Sequence, residues 1–388
     1  MLSQLGTRLS GLAVPLLAIL TLKASTLEVS LLRSAETLAW LLFGLVAGGW
    51  VDRLRQRPVL IAADAGRAVI LASIPIAAIW HGERLWQFYA ALFLVGLLTV
   101  FFDIAHTTYL PQILGPDELM DGNSKLAANT SIAAIAGGSF GGFLVQWLTA
   151  PFAIAVDAAS YLWSALWLRT IQTHEEPPLP EPDRHLRREI REGLAFVLGN
   201  PLLRPIALNT AGRMLFQSAY DGIILVYLVR RVHLTPGIIG LLSTVGFLGA
   251  LAASYCTTRI TARIGDIRAL VIGSVVNGLG FVSFALTGPE WRLGFFVLGG
   301  TLTSFTIVLM HIVSVTTVQT VCPESLLGRV NATMQVMIWG VMPIGSIIGG
   351  LLATFYGLHF TLWFVGTGML LASLWLVVPA RNLRLLPQ

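Results

Sequence analysis

The chain has 388 residues, of which 55% are hydrophobic and 12% charged, with a mean hydropathy of +0.76 and a formal net charge of +5. A soluble domain is about a quarter charged, so this composition excludes a water-soluble globular protein. The basic excess lies in loops rather than on one patch, which excludes a nucleic-acid surface as its explanation.

A bilayer core takes roughly 20 residues of helix, and predominantly apolar segments of that length recur along the chain. They run from 3 to 22, 32 to 51, 58 to 80, 88 to 110, 125 to 148, 152 to 170, 204 to 229, 236 to 258, 268 to 287, 291 to 316, 328 to 355 and 358 to 378. The runs do not alternate as the strands of a membrane barrel do. The expectation is an all-α membrane protein of twelve transmembrane helices. The opening segment lacks a basic stretch followed by a small-residue cleavage site and reads as a retained helix.

Between spans two and three, "GGWVDRLRQRP" sets Asp52, Arg53, Arg55 and Arg57 within a few positions. Span three opens with Asp64 and Arg67, three apart, which reads as a local ion pair, as do Arg33 and Glu36 in span two. Asp103 and His106 lie in span four, Asp157 in span six and His311 in span ten. Ionisable residues inside spans are costly and become functional candidates by default. Asp103, Asp221 of span seven and, behind them, Glu36 are the candidates for a proton-coupling or substrate role, and the two histidines read as interior hydrogen-bonded groups rather than metal ligands.

Span five carries Gly137, Gly138, Gly141 and Gly142, and span eleven carries Gly345, Gly349 and Gly350. Small residues four apart let helix backbones approach closely, so these are expected to form a packing seam. Between spans six and seven, Thr173 to Pro201 is proline-rich and acidic, then basic. It reads as an extended linker followed by an amphipathic interfacial helix with Ile190, Leu194 and Val197 on one face. Span seven then places Asn209, Arg213, Gln217 and Asp221 four apart, with Tyr220 beside the last. At 3.6 residues per turn these share one wedge of the helix, which implies a watery cavity and a substrate or proton pathway.

Six spans on each side of a linker invite a search for duplication. Pro116 and Leu119 match Pro323 and Leu326, and after a one-residue slip Asn123, Gly137, Gly141 and Gly142 match Asn331, Gly345, Gly349 and Gly350. The expected organisation is two pseudo-symmetric six-helix bundles, 1–170 and 204–388, joined by the linker 171–203. With the N-terminus inside, sixteen Lys and Arg residues fall on the cytoplasmic face and six on the other, so both termini are expected in the cytoplasm. Cys256 and Cys322 are expected as free thiols. No phosphate loop, HExxH or paired CxxC is present, which argues against an enzyme and against direct ATP coupling.

These features together resemble the major facilitator superfamily, whose loop motif reads Gly-x-x-x-Asp-Arg-x-x-Arg-Arg. Gly48, Asp52, Arg53 and Arg57 match it, with Gln56 where a basic residue is usual; "TTRITARIGDIR" is a degenerate second copy. "AGGSFGG" resembles the superfamily's antiporter motif with Gly138 in place of proline. "LIAADAGRA", "FFDIAHTTYLPQIL", "LLGRVNATM" and "WGVMPIGSIIGG" look like the drug:proton antiporter branch that includes macrolide efflux proteins and the enterobactin exporter. Span four lacks the arginine that many antiporters carry there.

The resemblance implies alternating access and export of an amphipathic drug, macrolide-like compound, siderophore or other secondary metabolite. The proton gradient would be the energy source, with no cofactor. It further implies a monomer in the cytoplasmic (inner) membrane, whose partners are the substrate and the lipid bilayer. Uptake, proton-independent facilitation, and a transport-inactive receptor or scaffold are the alternatives. Gly48, Asp52, Arg53 and Arg57 are the expected cytoplasmic gate. Asp52 would face the positive N-terminal end of span eleven, an attraction of about 0.3–1 kcal/mol when exposed.

Overall fold

A computed structural model describes residues 2–51, 53–80, 84–113, 119–171 and 186–383. Among them are fifteen α-helices: α1 (Leu2–Leu20), α2 (Thr26–Val51), α3 (Gln56–Ile79), α4 (Leu85–Ile113), α5 (Leu119–Leu148), α6 (Ala150–Thr170), α7 (Leu186–Gly199), α8 (Leu203–Arg230), α9 (Pro236–Ile264), α10 (Asp266–Ala285), α11 (Leu293–Val321), α12 (Glu324–Trp339), α13 (Met342–Phe355), α14 (Leu358–Ala372) and α15 (Leu374–Leu383). Nine helical segments among the described residues are long and apolar enough to cross a bilayer.

Local chemistry sets several boundaries that hydropathy misplaced. The second helix begins at Thr26, well before the expected 32. Ser25 and Glu28 form a capping box there, in which the Ser25 N–H donates to Glu28 Oε2 at 2.6 Å and the Glu28 N–H donates to Ser25 Oγ at 3.3 Å. The expected eleventh span is two helices, α12 and α13. Pro343 lacks an N–H and its ring clashes with the carbonyl four residues back, at Trp339, where α12 ends. Isoleucine 135 stands at the counterpart position in α5, which runs unbroken. The expected twelfth span is likewise divided, into α14 and α15, at Ser373.

The chain divides into two units, Met1–Arg184 with Leu234–Thr244, and His185–His233 with Val245–Gln388. In the first, α1 packs on α5 and α6, and α3 on α4 and α6. In the second, α8 packs on α13 and α14, and α10 on α11 and α14. These five helices of each unit therefore share one pattern of neighbours.

A backbone signature marks the repeat independently. Thr149 (φ 84, ψ 156), between α5 and α6, and Gly357 (φ 91, ψ 158), between α13 and α14, adopt one conformation that favours glycine. The same number of positions separates Thr149 from Gly357, Gly137 from Gly345 and Gly141 from Gly349.

Helix α7 packs on α8 and α12. Val197 is buried with Leu203, Ala207, Val318, Cys322 and Val330, whereas Leu194 is exposed. The apolar face expected from Leu194 and Val197 together is thus split, because the covered stripe is set by where α8 and α12 lie. The side chain of Ile190 falls outside the described residues.

Candidate functional site

Of the expected gate residues, Arg57 fastens a helix end. Arg57, in the first turn of α3, donates from Nε to the Leu168 carbonyl (3.0 Å) and from Nη2 to the Arg169 carbonyl (2.5 Å). These are carbonyls of the last turn of α6, which lack intrahelical partners, and a cation also complements the negative helix end. Gln56, the departure from the family's basic residue, is buried and donates Nε2 to the Val51 (3.1 Å) and Leu54 (3.2 Å) carbonyls at the end of α2. Arg53 and Arg55 are exposed. Asp52, on which the expected latch depends, lies outside the described residues, as does the packing around Gly48.

The glycine seam has two faces. Gly137 and Gly141 lie against α1 at Leu5, Arg8 and Leu9, and their counterparts Gly345 and Gly349 lie against the backbone of α8 at Leu215 and Ala219. Gly138 and Gly142 turn instead to the first turns of α9, at Pro236, Gly240 and Thr244, within the first unit. There the Gly237 N–H, a free donor of the new helix, donates to Gln146 Oε1 at 3.0 Å. Gly350 is buried in the second unit.

In the first unit the Asp64–Arg67 pair forms as expected, but it is the centre of a larger cluster. The Arg67 guanidinium lies 4.2 Å from the ring centre of Phe102 on α4 and 4.4 Å from that of Tyr161 on α6, contacts that favour a desolvated cation. Its Nη1 reaches Thr99 Oγ1 at 3.4 Å, and Tyr161 Oη bonds Thr7 Oγ1 of α1 at 2.7 Å. Asp157, one turn from Tyr161, is 1% exposed. Asp103 is exposed and within the field of Arg67, and His106 stacks on Phe102 within the field of Asp64. Glu36 is ion-paired with Arg33 at 2.6 Å, with both side chains about one-third exposed.

In the second unit the wedge on α8 does not form one watery face. Asn209 is 1% and Arg213 5% exposed. Asn209 Nδ2 donates to Ser274 Oγ (2.8 Å) and to the Ala372 carbonyl (2.9 Å), and Arg213 Nη1 meets Met310 Sδ at 3.3 Å. One or two turns on, Gln217 Nε2 donates to Asp221 Oδ1 at 2.9 Å, and both residues are half-buried. Tyr220 packs among Phe281 and Phe284. Helices α10, α14 and α11 thus meet the Asn209 end of the wedge through Ser274, Ala372 and Met310. His311 is exposed. Among the described residues no group of three or more His, Cys, Asp or Glu is placed to hold a metal.

Each unit therefore buries an arginine between helices, Arg67 with a carboxylate and Arg213 with a thioether. Sequence reasoning missed the convergence of α1, α3, α4 and α6 on Arg67. The signals present were small or hydroxylic neighbours at helical spacing, Gly6, Thr7 and Ser10 on α1 and Ser160 and Ser164 on α6.

The model of the transmembrane secretion effector family matches residues 1–384. The chain belongs to that family. It is 28% identical to the multidrug efflux pump Tap of Mycolicibacterium fortuitum, over 94% of this chain and 90% of that protein. It is 25% identical to the enterobactin exporter EntS of Citrobacter koseri, over 88% and 81% of the two chains. A mutant of the nucleoside transporter NupG superposes with a TM-score of 0.81 at 13% identity, covering 97% of this chain and 98% of that one. A bacterial homologue of the iron transporter ferroportin, inward-facing, superposes with a TM-score of 0.75 at 17% identity, covering 97% and 96%. The chain is a multi-pass membrane transporter of the major facilitator superfamily, and its family and relatives are transporters rather than enzymes.

Proposed function

We propose that this transporter exports amphipathic small molecules across a bacterial cytoplasmic membrane by alternating access, driven by proton antiport. The observation that carries the reading is similarity to the Tap efflux pump along 94% of the chain. Two further features support it. The units repeat one pattern of helix neighbours, as two six-helix bundles of a twelve-span exporter would. Each unit also holds ionisable side chains inside its helices, an expensive arrangement that serves ion and substrate pathways. The distribution of Lys and Arg supports cytoplasmic termini.

Everted membrane vesicles containing the transporter test this directly. Hydrophobic cationic dyes, a macrolide and a siderophore are offered with a proton gradient present and then collapsed. Accumulation that stops on collapse supports antiport; accumulation that continues unchanged removes it. Absence of uptake for every amphipathic compound offered removes the export reading.

A further inference from the structure

Asp157 is buried on α6 and faces a site assembled by three helices. On α1, Gly6 leaves the space the carboxyl fills, since a Cβ there would collide with Asp157 Oδ1 and Ser160 Oγ. Also on α1, the buried Ser10 hydroxyl reaches towards the carboxyl yet meets hydrogen-bond geometry with no atom among the described residues. On α6 itself, Ser160 Oγ lies 2.8 Å from the Asp157 main-chain carbonyl and 3.3 Å from Asp157 Oδ1.

The donor count at Ser160 is informative. A carbonyl has no proton, so the hydroxyl donates its single hydrogen there. Ser160 Oγ is the donor in both contacts, so its one hydrogen is shared and Oδ1 receives at most a weak bond at 3.3 Å. Ser10 Oγ is a second buried hydroxyl in the same place, able to donate to a carboxylate or to accept from a carboxylic acid.

The surrounding charges point the same way. The groups facing Asp157 among the described residues are Asp64 and Arg67 of α3 and Tyr161 of its own helix. Arg67 is already paired with Asp64, whose second oxygen is buried without a hydrogen-bond partner among the described residues. From α4, Asp103 faces Arg67 and His106 faces Asp64. Among the described residues no charged group of α1 or α5 acts on Asp157; Arg8 interacts instead with Arg33 and Glu36. Three carboxyls thus share one guanidinium, and Asp157 has no cation in hydrogen-bond contact among the described residues.

We propose that Asp157, held between Ser10, Ser160 and Gly6, is the proton-binding carboxyl of the first unit and carries the proton exchanged in transport. The proposal rests on the antiport reading above and assigns its proton to a residue other than Asp103 or Glu36. Chemically the step is a protonation: the carboxyl Oδ1–H bond forms on one side of the cycle and breaks to water on the other, with no change of oxidation state.

Infrared difference spectra of the purified full-length transporter at neutral pH test the proton site without any substrate. The carbonyl stretch of a protonated carboxyl is expected in the wild type, absent in Asp157→Asn and retained in Asp103→Asn. Persistence of the band in Asp157→Asn overturns the proposal. Where that variant does not fold, Ser10→Ala and Ser160→Ala keep it decidable: each shifts the band by removing a bonding partner, and an unshifted band in both overturns the assignment.

Reconstituted vesicles supply the coupling arm. Asp157→Asn is expected to lose gradient-driven accumulation while keeping substrate counterflow, and unchanged gradient-driven accumulation overturns the proposal. A wild type with no gradient-driven transport defeats the antiport reading, while the infrared arm still decides whether Asp157 holds a proton.

Discussion

The guanidinium of Arg57 holds the carbonyl of Leu168 at 3.0 Å, tying the start of α3 to the end of α6. With the second bond, to Arg169, it uses the planar fork that lysine does not possess. Arg57→Lys is expected to lower unfolding stability by about 1 kcal/mol, below the range for buried charge-assisted bonds because the site is half-exposed. Thermal unfolding of the detergent-solubilised protein measures this, and an unchanged midpoint would mean that water serves those carbonyls equally well.

Gly345 and Gly349 set the distance between α13 and α8. A Cβ at either position would lie inside the backbone of Leu215 or Ala219, atoms that have no rotamer to escape into. Alanine at Gly345 is expected to cost about 1–3 kcal/mol through forced backbone displacement. Gly11→Ala, with nothing within 4 Å of the added carbon, serves as the control and leaves stability at or above wild type. Equal effects of the two substitutions would refute the close-packing account.

Thr149 occupies backbone space that its counterpart Gly357 occupies without strain. A β-branched residue at φ 84 stores strain. Thr149→Gly is expected to stabilise by about 1 kcal/mol, the relief exceeding the added flexibility of the unfolded chain. A lower unfolding midpoint in this variant counts against the strain.

Arg213 is a buried cation whose hydrogen-bonding partner is the sulfur of Met310. Its Nε has no hydrogen-bond partner among the described residues. Replacing an uncompensated buried charge with an apolar side chain of similar length removes a desolvation penalty. Arg213→Met is therefore expected to raise stability on the order of 1 kcal/mol while reducing export. Wild-type stability combined with wild-type export would leave the guanidinium with neither a folding cost nor a transport role.

The contrast between the two buried arginines explains how much of the site was readable in one dimension. The Asp64–Arg67 pair was legible because both residues lie on one helix three positions apart, and Arg33–Glu36 for the same reason. The joining of Arg67 to Phe102 and Tyr161 was not, because those residues are brought together by helix packing over long sequence separations. The α8 wedge was correctly spaced, but spacing fixes only which residues share a face. It does not say that α10, α11 and α14 cover part of that face.

What the sequence determined by itself is the class of solvent each segment meets. Long apolar runs, few charges and the bias of Lys and Arg towards alternate loops are additive properties of local composition, and they point to a multi-pass helical membrane protein. The repeated glycines were visible for a similar reason, since a backbone that must be approached closely leaves a one-letter mark. Tertiary structure alone decided which charges are compensated and which are not. It turned the dense "GGWVDRLRQRP" loop into fasteners for the ends of α2 and α6 at Gln56 and Arg57, and it placed Asp157 in a pocket of serines. The cost of a buried charge depends on neighbours from other helices, and those are fixed only when the helices pack.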